Sequence, residues 1–223
     1  MSGPFAWFKW QALFRDWAVF AAGFATTIAL SLLALTLAVA LGLVLGIFGA
    51  SKSSGLRAIS RVYVSLIQNT PLVIQVFFFY HGLPHMRLML PVFSVGVLAI
   101  GIYHGAYIAE VVRAGILAIP RGQHEAAYAQ GFTYWGTMRH IVLPQARRIM
   151  YPSLTNQAVS LIKNTSVLAM VAGGELMYRA DSWSSATLSY GPAYIVTGLL
   201  YLSLCLPLAL YARRVERKLE VSL

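Results

Sequence analysis

The sequence predicts an all-α membrane protein with five transmembrane helices, and three observations lead to this fold class. Of its 223 residues, 58% are hydrophobic and 11% are charged, and the mean hydropathy is +0.68, which is too apolar for an ordinary soluble domain. Four long stretches carry no Lys, Arg, Asp or Glu, and each is long enough for a membrane-spanning helix of about 20 residues. The basic residues concentrate on one side of these stretches.

Residues 1–21 are predicted to lie along the membrane interface. This segment is amphipathic and aromatic, and it lacks the separate basic head and small-residue cleavage site of a signal peptide. Helices of this kind typically lie in the plane of the membrane surface.

Five predicted spans follow residues 1–21 along the chain. Four come from the uncharged stretches, and another is interrupted only by Lys163, the one charged residue expected deep within a span. Small residues such as Gly42, Gly46 and Gly198 are expected to serve helix packing. The five predicted helices cover residues 22–48, 62–83, 91–112, 152–173 and 192–212.

The net charge of +10 is explained by membrane topology rather than by nucleic-acid binding. Twelve basic residues lie on the side reached after the first span and four on the opposite side. The positive-inside rule then predicts an outside N-terminus and a cytoplasmic C-terminus. The twelve are Lys52, Arg57, Arg61, Arg113, Arg121, Arg139, Arg147, Arg148, Arg213, Arg214, Arg217 and Lys218.

Residues 113–150 form a polar, basic insert between the third and fourth spans. Helix formers run from 125 to 130, Gly131 is a helix stop, and a second amphipathic run from 134 to 142 ends before Pro144. The pattern predicts a helix, a turn and a helix on the cytoplasmic side. Periodicity alone leaves two interpretations open, a surface that docks into a partner or a solvated loop.

Two partial enzyme motifs in the sequence lack the residues that their chemistry requires. The stretch GIFGASKS has Ser51 where a phosphate-binding loop needs its second glycine, and HEAAY has Tyr128 where a zinc helix needs its second histidine. The sequence therefore predicts no nucleotide site, no metal site and no enzymatic activity in this chain.

The polar residues at membrane depth are the candidates for a substrate path. A lysine at the bilayer centre costs about 2.5–3.5 kcal/mol, so Lys163 is expected to face a wet cavity, a substrate or a partner within the bundle. The Asn69-Thr70-Pro71 break is expected to free backbone carbonyls toward a lumen. The candidate path residues are Gln68, Asn69, Thr70, Gln75, Lys163, Asn164, Thr165 and Ser166.

Glu110 and Arg113 lie one helical turn apart at the predicted cytoplasmic end of the third span. The i, i+3 spacing allows an ion pair. Both charges are inexpensive at that depth, so the pair is expected to stabilise the helix end.

Five motifs occur in a fixed order along the chain. The insert carries EAA, three residues, Gly, nine residues and I-x-L-P, and it is accompanied by QNTPLVIQVFFFY, GAYIAEVVRAGI, IPRGQHEAA and SLIKNTSV. This set resembles the polar amino acid branch of the permease subunits of ATP-binding-cassette importers. Within that branch, QNTPL, KNTS and VERKLE are most similar to the glutamate and aspartate permeases.

The resemblance implies a type I importer permease fold, with residues 1–223 as one transmembrane domain in the bacterial inner membrane. It implies no cofactor in this chain, because ATP and Mg are bound by a separate ATPase. The implied partners are two ATPase subunits, a second permease subunit (an identical copy or a paralogue), an extracytoplasmic amino acid-binding protein and membrane lipid, with no nucleic acid. The implied ATPase-coupling residues are Glu125, Ala126, Ala127, Gly131, Ile141, Leu143 and Pro144.

The expected function is import of polar amino acids, with acidic ones or their amides as the first expectation. A cation beside amides and hydroxyls suits a substrate carboxylate that has lost its water. Relatives for basic or other amino acids are an alternative. A secondary carrier or a membrane scaffold is a further alternative, although we find no internal repeat of the kind that carriers show.

Overall fold

The computed structural model describes residues 3–220, with side chains for residues 3–217. Met1, Ser2 and residues 221–223 of the predicted domain, and the Lys218 side chain of the predicted topology, lie outside this range. Every regular element in the described part is a helix. The helices are α1 Trp7–Arg15, α2 Trp17–Ala50, α3 Ser54–Gln68, α4 Leu72–Phe77, α5 Leu83–His85, α6 Val92–Leu117, α7 Arg121–Ala129, α8 Tyr134–Thr137, α9 Leu143–Asn164, α10 Leu176–Thr187 and α11 Tyr190–Glu220.

Three described helices are long and apolar enough to cross a membrane, namely α2, α6 and α11, and a fourth span results if α3 to α5 count as one. These elements coincide with four of the five predicted spans. The fourth predicted span, residues 152–173, comprises the end of α9 and a 3₁₀ helix, Thr165–Val171. Helix α9 is not among the described helices that are apolar enough to cross a membrane, and it carries Arg147, Arg148 and Lys163.

The predicted break in the second span is present. α3 ends at Gln68, α4 begins at Leu72, and the two directions differ by 98°. Pro71 explains the break, since proline has no backbone N–H and disfavours helical geometry in the residue before it. Helical structure then continues from α4 to α5 through a π turn, Phe78–Gly82.

The chain divides into two compact units. The first unit comprises residues 1–37, 70–101 and 159–208. Its core includes Leu13, Phe20, Leu176 and Trp183, so the short helix α1 packs with α2 and α10. Lys9 Nζ also donates to the carbonyl of Leu188 at 2.8 Å.

The second unit comprises residues 38–69, 102–158 and 209–223. Two glycines of α2 allow close contact with α6 there: a Cβ built on Gly42 would lie 2.3 Å from Ile108, and one on Gly46 would lie 2.5 Å from Val112. The packing role predicted for these glycines is confirmed. For Gly198 it stays a prediction, since an added Cβ meets nothing within 4 Å in this chain.

Candidate functional site

The insert folds as a short helix closed by a glycine. α7 runs from Arg121 to Ala129, and Gly131 has a φ of 81°. The Gly131 N–H donates to the Tyr128 carbonyl at 3.0 Å, and the Phe132 N–H donates to the Ala127 carbonyl at 3.1 Å. These two bonds form a Schellman motif, which satisfies carbonyls at a helix end and places its second-last residue, here Gly131, in left-handed backbone.

The acidic residue of the EAA signature points away from the protein interior. Glu125 and Ala126 are exposed, and Glu125 makes no ion pair with any described residue. Glu125 lines a cavity of about 560 Å³ together with Lys52 and Tyr128. Ala127, in contrast, is buried within this chain and 1% exposed, so it packs α7 rather than offering a free contact surface.

The second half of the insert differs from the prediction that Pro144 ends its helix. α8 passes into a π turn, Met138–Val142, and then directly into α9, so Pro144 occupies the first turn of a long helix. Proline is tolerated in a first turn, where its missing N–H would lack an intrahelical partner, and the wider π turn supplies the change of geometry. Ile141, Leu143 and Pro144 are half-buried along this passage.

Lys163 lies near the end of α9, and its side chain is exposed on the surface of this chain. It makes no ion pair with a described carboxylate. Ser166 donates to the Lys163 carbonyl at 2.7 Å, and both residues line a cavity of about 290 Å³ with Thr197, Gly198 and Tyr201. Lys163 therefore lies at a cavity that hydroxyl-bearing residues also line.

A buried carboxylate that sequence reasoning missed lies beside this cavity. Glu175 is 0% exposed and is the N-cap of α10. Its carboxylate accepts from the N–H groups of Met177 and Tyr178 at 2.7 and 2.8 Å, and from the Tyr201 hydroxyl at 2.8 Å. The available sequence signal was an acidic residue directly after Gly173-Gly174 and before a helical run, which is the position of an N-cap.

Buried hydroxyls extend this network within the first unit. The Thr165 hydroxyl donates to the Ile162 carbonyl at 2.7 Å and lies 3.5 Å from the Tyr201 hydroxyl. The Thr27 hydroxyl accepts from the Leu176 N–H at 3.1 Å. The structure thus places Thr165 in the protein interior and Ser166 at the cavity, while Asn164 ends α9.

A carbonyl group at the helix break is hydrogen-bonded by a side chain of the same chain. Gln75 Nε2 donates to the Thr70 carbonyl at 3.1 Å, so this carbonyl has a hydrogen-bond donor within the chain. The release of carbonyls toward a lumen stays a prediction. On the other side of the break, Asn69 Nδ2 donates to the Ser65 carbonyl at 2.8 Å and caps α3. The side chains around Pro71 therefore satisfy the backbone groups that the break exposes.

A second polar cavity lies within the second unit. It has a volume of about 540 Å³ and includes Gln68, Tyr107, Ser153 and Gln157 in its lining. Gln157 Oε1 accepts a hydrogen bond of 3.1 Å from Nδ1 of His104, which is 2% exposed. Two amides, a phenol and a hydroxyl line this cavity together with the carboxylate of Glu110, which is paired with Arg113.

Glu110 and Arg113 form the predicted ion pair at the end of α6. Arg113 Nε donates to Glu110 Oε2 at 2.9 Å, and Arg113 Nη2 donates to Glu110 Oε1 at 2.5 Å. The bidentate geometry is the favourable one for arginine and a carboxylate.

Comparison with known proteins decides the family. Residues 38–221 match the model of the binding-protein-dependent transport system inner membrane component. The chain belongs to this family. Its members are the membrane permease subunits of ABC importers, in which a separate ATPase hydrolyses ATP, and the secondary carrier and scaffold alternatives are therefore wrong.

Similar proteins narrow the branch to amino acid permeases. The chain is 42% identical to the probable glutamine ABC transporter permease protein GlnM of Bacillus subtilis (strain 168), covering 94% of this chain and 97% of that protein. It is 35% identical to the L-cystine transport system permease protein TcyB of the same organism, covering 92% and 88%. A solved amino acid ABC transporter with histidines has a TM-score of 0.86 and 30% identity, covering 93% of this chain and 97% of that chain.

The permease is therefore an amino acid ABC importer subunit of the bacterial inner membrane. It works with an ATPase and with a substrate-binding protein.

Proposed function

We propose that the permease imports polar amino acids with an acidic or amide side chain. The observation that carries this proposal is the exposed Lys163 ammonium group, which lacks a described carboxylate partner and lines a cavity with Ser166 and Thr197. A substrate carboxylate that leaves water needs such a charge-assisted hydrogen bond. The name of GlnM, a probable glutamine permease, agrees with the amide form of this substrate class.

The proposed path includes further polar residues that have different roles. They are Gln68, Asn69, Thr70, Gln75, Asn164 and Thr165. Gln68 lines the polar cavity of about 540 Å³ in the second unit, whereas Thr70 and Gln75 hold the backbone at the break. Thr165 supports the Tyr201 hydroxyl near Lys163. Only Lys163 supplies a positive charge within this set, so it is the residue with which a side-chain or α-carboxylate would pair.

Residues 113–150 are proposed to couple the permease to its ATPase. α7 presents Glu125 and Ala126 on its exposed side, and the Schellman motif at Gly131 lets the chain turn back behind the helix. Glu125 would pair with a basic group on the ATPase. When ATP closes the ATPase dimer, movement of α7 would pass through the π turn and Ile141, Leu143 and Pro144 into α9.

The proposed assembly contains two ATPase subunits, two permease subunits and one extracytoplasmic binding protein. ATP and Mg would be held by the ATPase pair. The proposed topology has five spans, with α9 and the 3₁₀ helix as the fourth, the N-terminus outside and the C-terminus cytoplasmic. α1 would lie at the membrane interface, since Trp7, Phe8 and Phe14 are exposed.

A second substrate class, the basic amino acids, has support from one relative. The chain is 34% identical to the arginine transport system permease protein ArtQ of Bacillus subtilis (strain 168) over 89% of its length. In that case Lys163 would pair with the α-carboxylate, since it would repel a cationic side chain.

The experiment that tests the substrate proposal is uptake into vesicles by the reconstituted importer with its binding protein. Wild type, Lys163→Met and Lys163→Arg are compared with labelled glutamate, glutamine and arginine. Methionine keeps the length of the side chain without the charge, whereas arginine keeps the charge. Loss of one charge-assisted hydrogen bond costs about 1.5–3 kcal/mol, so Lys163→Met is expected to weaken apparent affinity about 10- to 150-fold.

The substrate panel separates the outcomes. A larger loss for glutamate than for glutamine supports recognition of the side chain, and equal losses support recognition of the α-carboxylate. Unchanged kinetics in Lys163→Met would remove Lys163 from the path. Wild-type uptake of arginine alone would overturn the acidic and amide class while leaving the importer assignment intact.

A further inference from the structure

A basic cavity lies within the second unit, where α2 ends and α3 begins. Its volume is about 650 Å³, and it lies beside the end of α6. Four cations and one carboxylate take part in its lining, in addition to small and apolar residues. The charged lining residues are Lys52, Arg57, Arg61, Arg113 and Glu110.

Two of the four cations are already engaged within the chain. Arg113 pairs with Glu110, and Arg57 Nη1 donates to the carbonyls of Ser51 and Lys52 at 2.9 and 2.6 Å. These side chains close the cavity wall and hold the loop between α2 and α3. Arg113 neutralises the carboxylate of Glu110, but the excess of positive charge around the cavity remains uncompensated.

The other two cations are available to a ligand. Arg61 and Lys52 are exposed, and neither forms an ion pair with a described residue. Lys52 Nζ lies 5.8 Å from the centre of the Tyr128 ring. Like charges gathered around one cavity repel each other unless an anion joins them.

The position of the cavity favours an anion that is fixed at the membrane surface. It lies at the ends of α2 and α6, two of the helices able to span a membrane, on the side predicted to be cytoplasmic. The cytoplasmic leaflet is negatively charged, and basic pockets between helices on that side suit phosphate headgroups. Leu117, which also lines the cavity, is 57% exposed, and Ile59 and Val62 of α3 are exposed nearby in the sequence.

We propose that this cavity binds the phosphate of an anionic phospholipid from the cytoplasmic leaflet. Arg61 and Lys52 hold the phosphate oxygens, while Leu117 contacts the apolar part of the lipid at the cavity mouth. Basic side chains inside the cavity and an apolar side chain at its mouth fit an amphiphile better than a free inorganic anion. The bound lipid fixes the loop between α2 and α3 beside the insert that contains Tyr128.

The test is a binding titration of the complete importer, permease with its ATPase, measured by native mass spectrometry. The probes are dioctanoyl-phosphatidylglycerol, dioctanoyl-phosphatidylcholine and inorganic phosphate. The variants are Arg61→Gln, Arg61→Lys and Lys52→Gln, with Arg214→Gln as the matched control. Arg214 is exposed and on the predicted cytoplasmic side, but it does not line the cavity.

The expected result is binding of phosphatidylglycerol that is tighter than that of phosphatidylcholine. One basic residue contributes about 1 kcal/mol near an anionic lipid, so Arg61→Gln and Lys52→Gln are each expected to raise the apparent Kd about fivefold. Arg61→Lys keeps the positive charge on which this contribution depends and is expected to stay within about twofold of wild type. Arg214→Gln is expected to match wild type.

Three results would overturn the proposal. Equal binding of both lipids would show that the headgroup charge is not recognised. An Arg61→Gln Kd equal to that of Arg214→Gln would show that the cavity is not the site. Competition by inorganic phosphate at the same concentration as phosphatidylglycerol would show that the cavity takes a free anion rather than a lipid.

Discussion

Replacing Glu175 with alanine should destabilise the first unit of the permease without touching the coupling loop. The carboxylate is fully buried and accepts three hydrogen bonds, two from the first turn of α10 and one from Tyr201. Alanine removes all three acceptors at once. The two N–H groups then lack a cap, and the Tyr201 hydroxyl lacks its carboxylate partner.

The magnitude follows from these contacts. Loss of an N-cap costs about 0.5–2 kcal/mol, and a buried polar group left without its partner costs about 1–3 kcal/mol. Relief from burying a negative charge offsets part of this cost. We therefore expect the free energy of unfolding to fall by about 2 kcal/mol in Glu175→Ala. Glu175→Gln keeps an acceptor oxygen for the helix cap and is expected to lose about 1 kcal/mol.

The assay is unfolding of the purified permease in mixed micelles, followed by far-ultraviolet circular dichroism during titration with SDS. Tyr201→Phe serves as the matched variant, since it removes the hydroxyl while the cap remains. A double-mutant cycle with Glu175→Ala then isolates the carboxylate-hydroxyl interaction. The reasoning would be refuted if Glu175→Ala unfolded within about 0.5 kcal/mol of wild type, or if Glu175→Gln were equally damaging.

Three further predictions concern separate parts of the chain. Gly131→Asp should assemble in the membrane but lose ATP-driven uptake. Gly131→Asn introduces a neutral side chain of the same shape as aspartate, and asparagine tolerates positive φ, so this variant should retain most of the uptake. Equal uptake in both variants would contradict docking at this turn. Gly46→Ala should destabilise the permease by about 1–3 kcal/mol through overpacking, while Gly198→Ala should leave its thermal midpoint unchanged. The hydrogen bond from Trp183 holds the pKa of Asp16 below its usual value, aided by Arg15. Because the pKa of Asp16 is lower in the folded state, its ionised carboxylate stabilises the fold at pH values above the usual aspartate pKa. This contribution is lost as the pH falls through the folded-state pKa. Asp16→Asn should therefore flatten that part of the stability-pH curve.

The parts of the site that the sequence predicted are those governed by local backbone chemistry. Pro71 disrupts the second span because a proline cannot continue its hydrogen bonds, and Gly131 ends α7 because the turn needs positive φ. The Glu110 and Arg113 pair follows from helical spacing alone. In each case the cause lies within four residues of its effect.

The parts that the sequence did not predict depend on contacts between distant segments. Glu175 is recognisable as a cap, but its burial and its bond to Tyr201 come from the packing of α10 and α11. The π turn before Pro144 replaces the expected helix end, because a proline in the first turn of α9 is compatible with a continuous helical path. Ala127 was expected at a partner surface, yet the fold uses it as a buried spacer.

α9 joins Pro144 of the coupling signature and Lys163 of the proposed path in one continuous helix. An ideal α-helix rises about 1.5 Å and rotates about 100° per residue, and α9 contains one internal proline, Pro152. Substitutions along the exposed side of α9 leave the helical register unchanged, whereas one inserted residue would shift the residues that follow it by about 100° around the helix axis. The evolution of this subunit should therefore accept many replacements between residues 145 and 162 but preserve their number, so that the length of α9 is itself under selection.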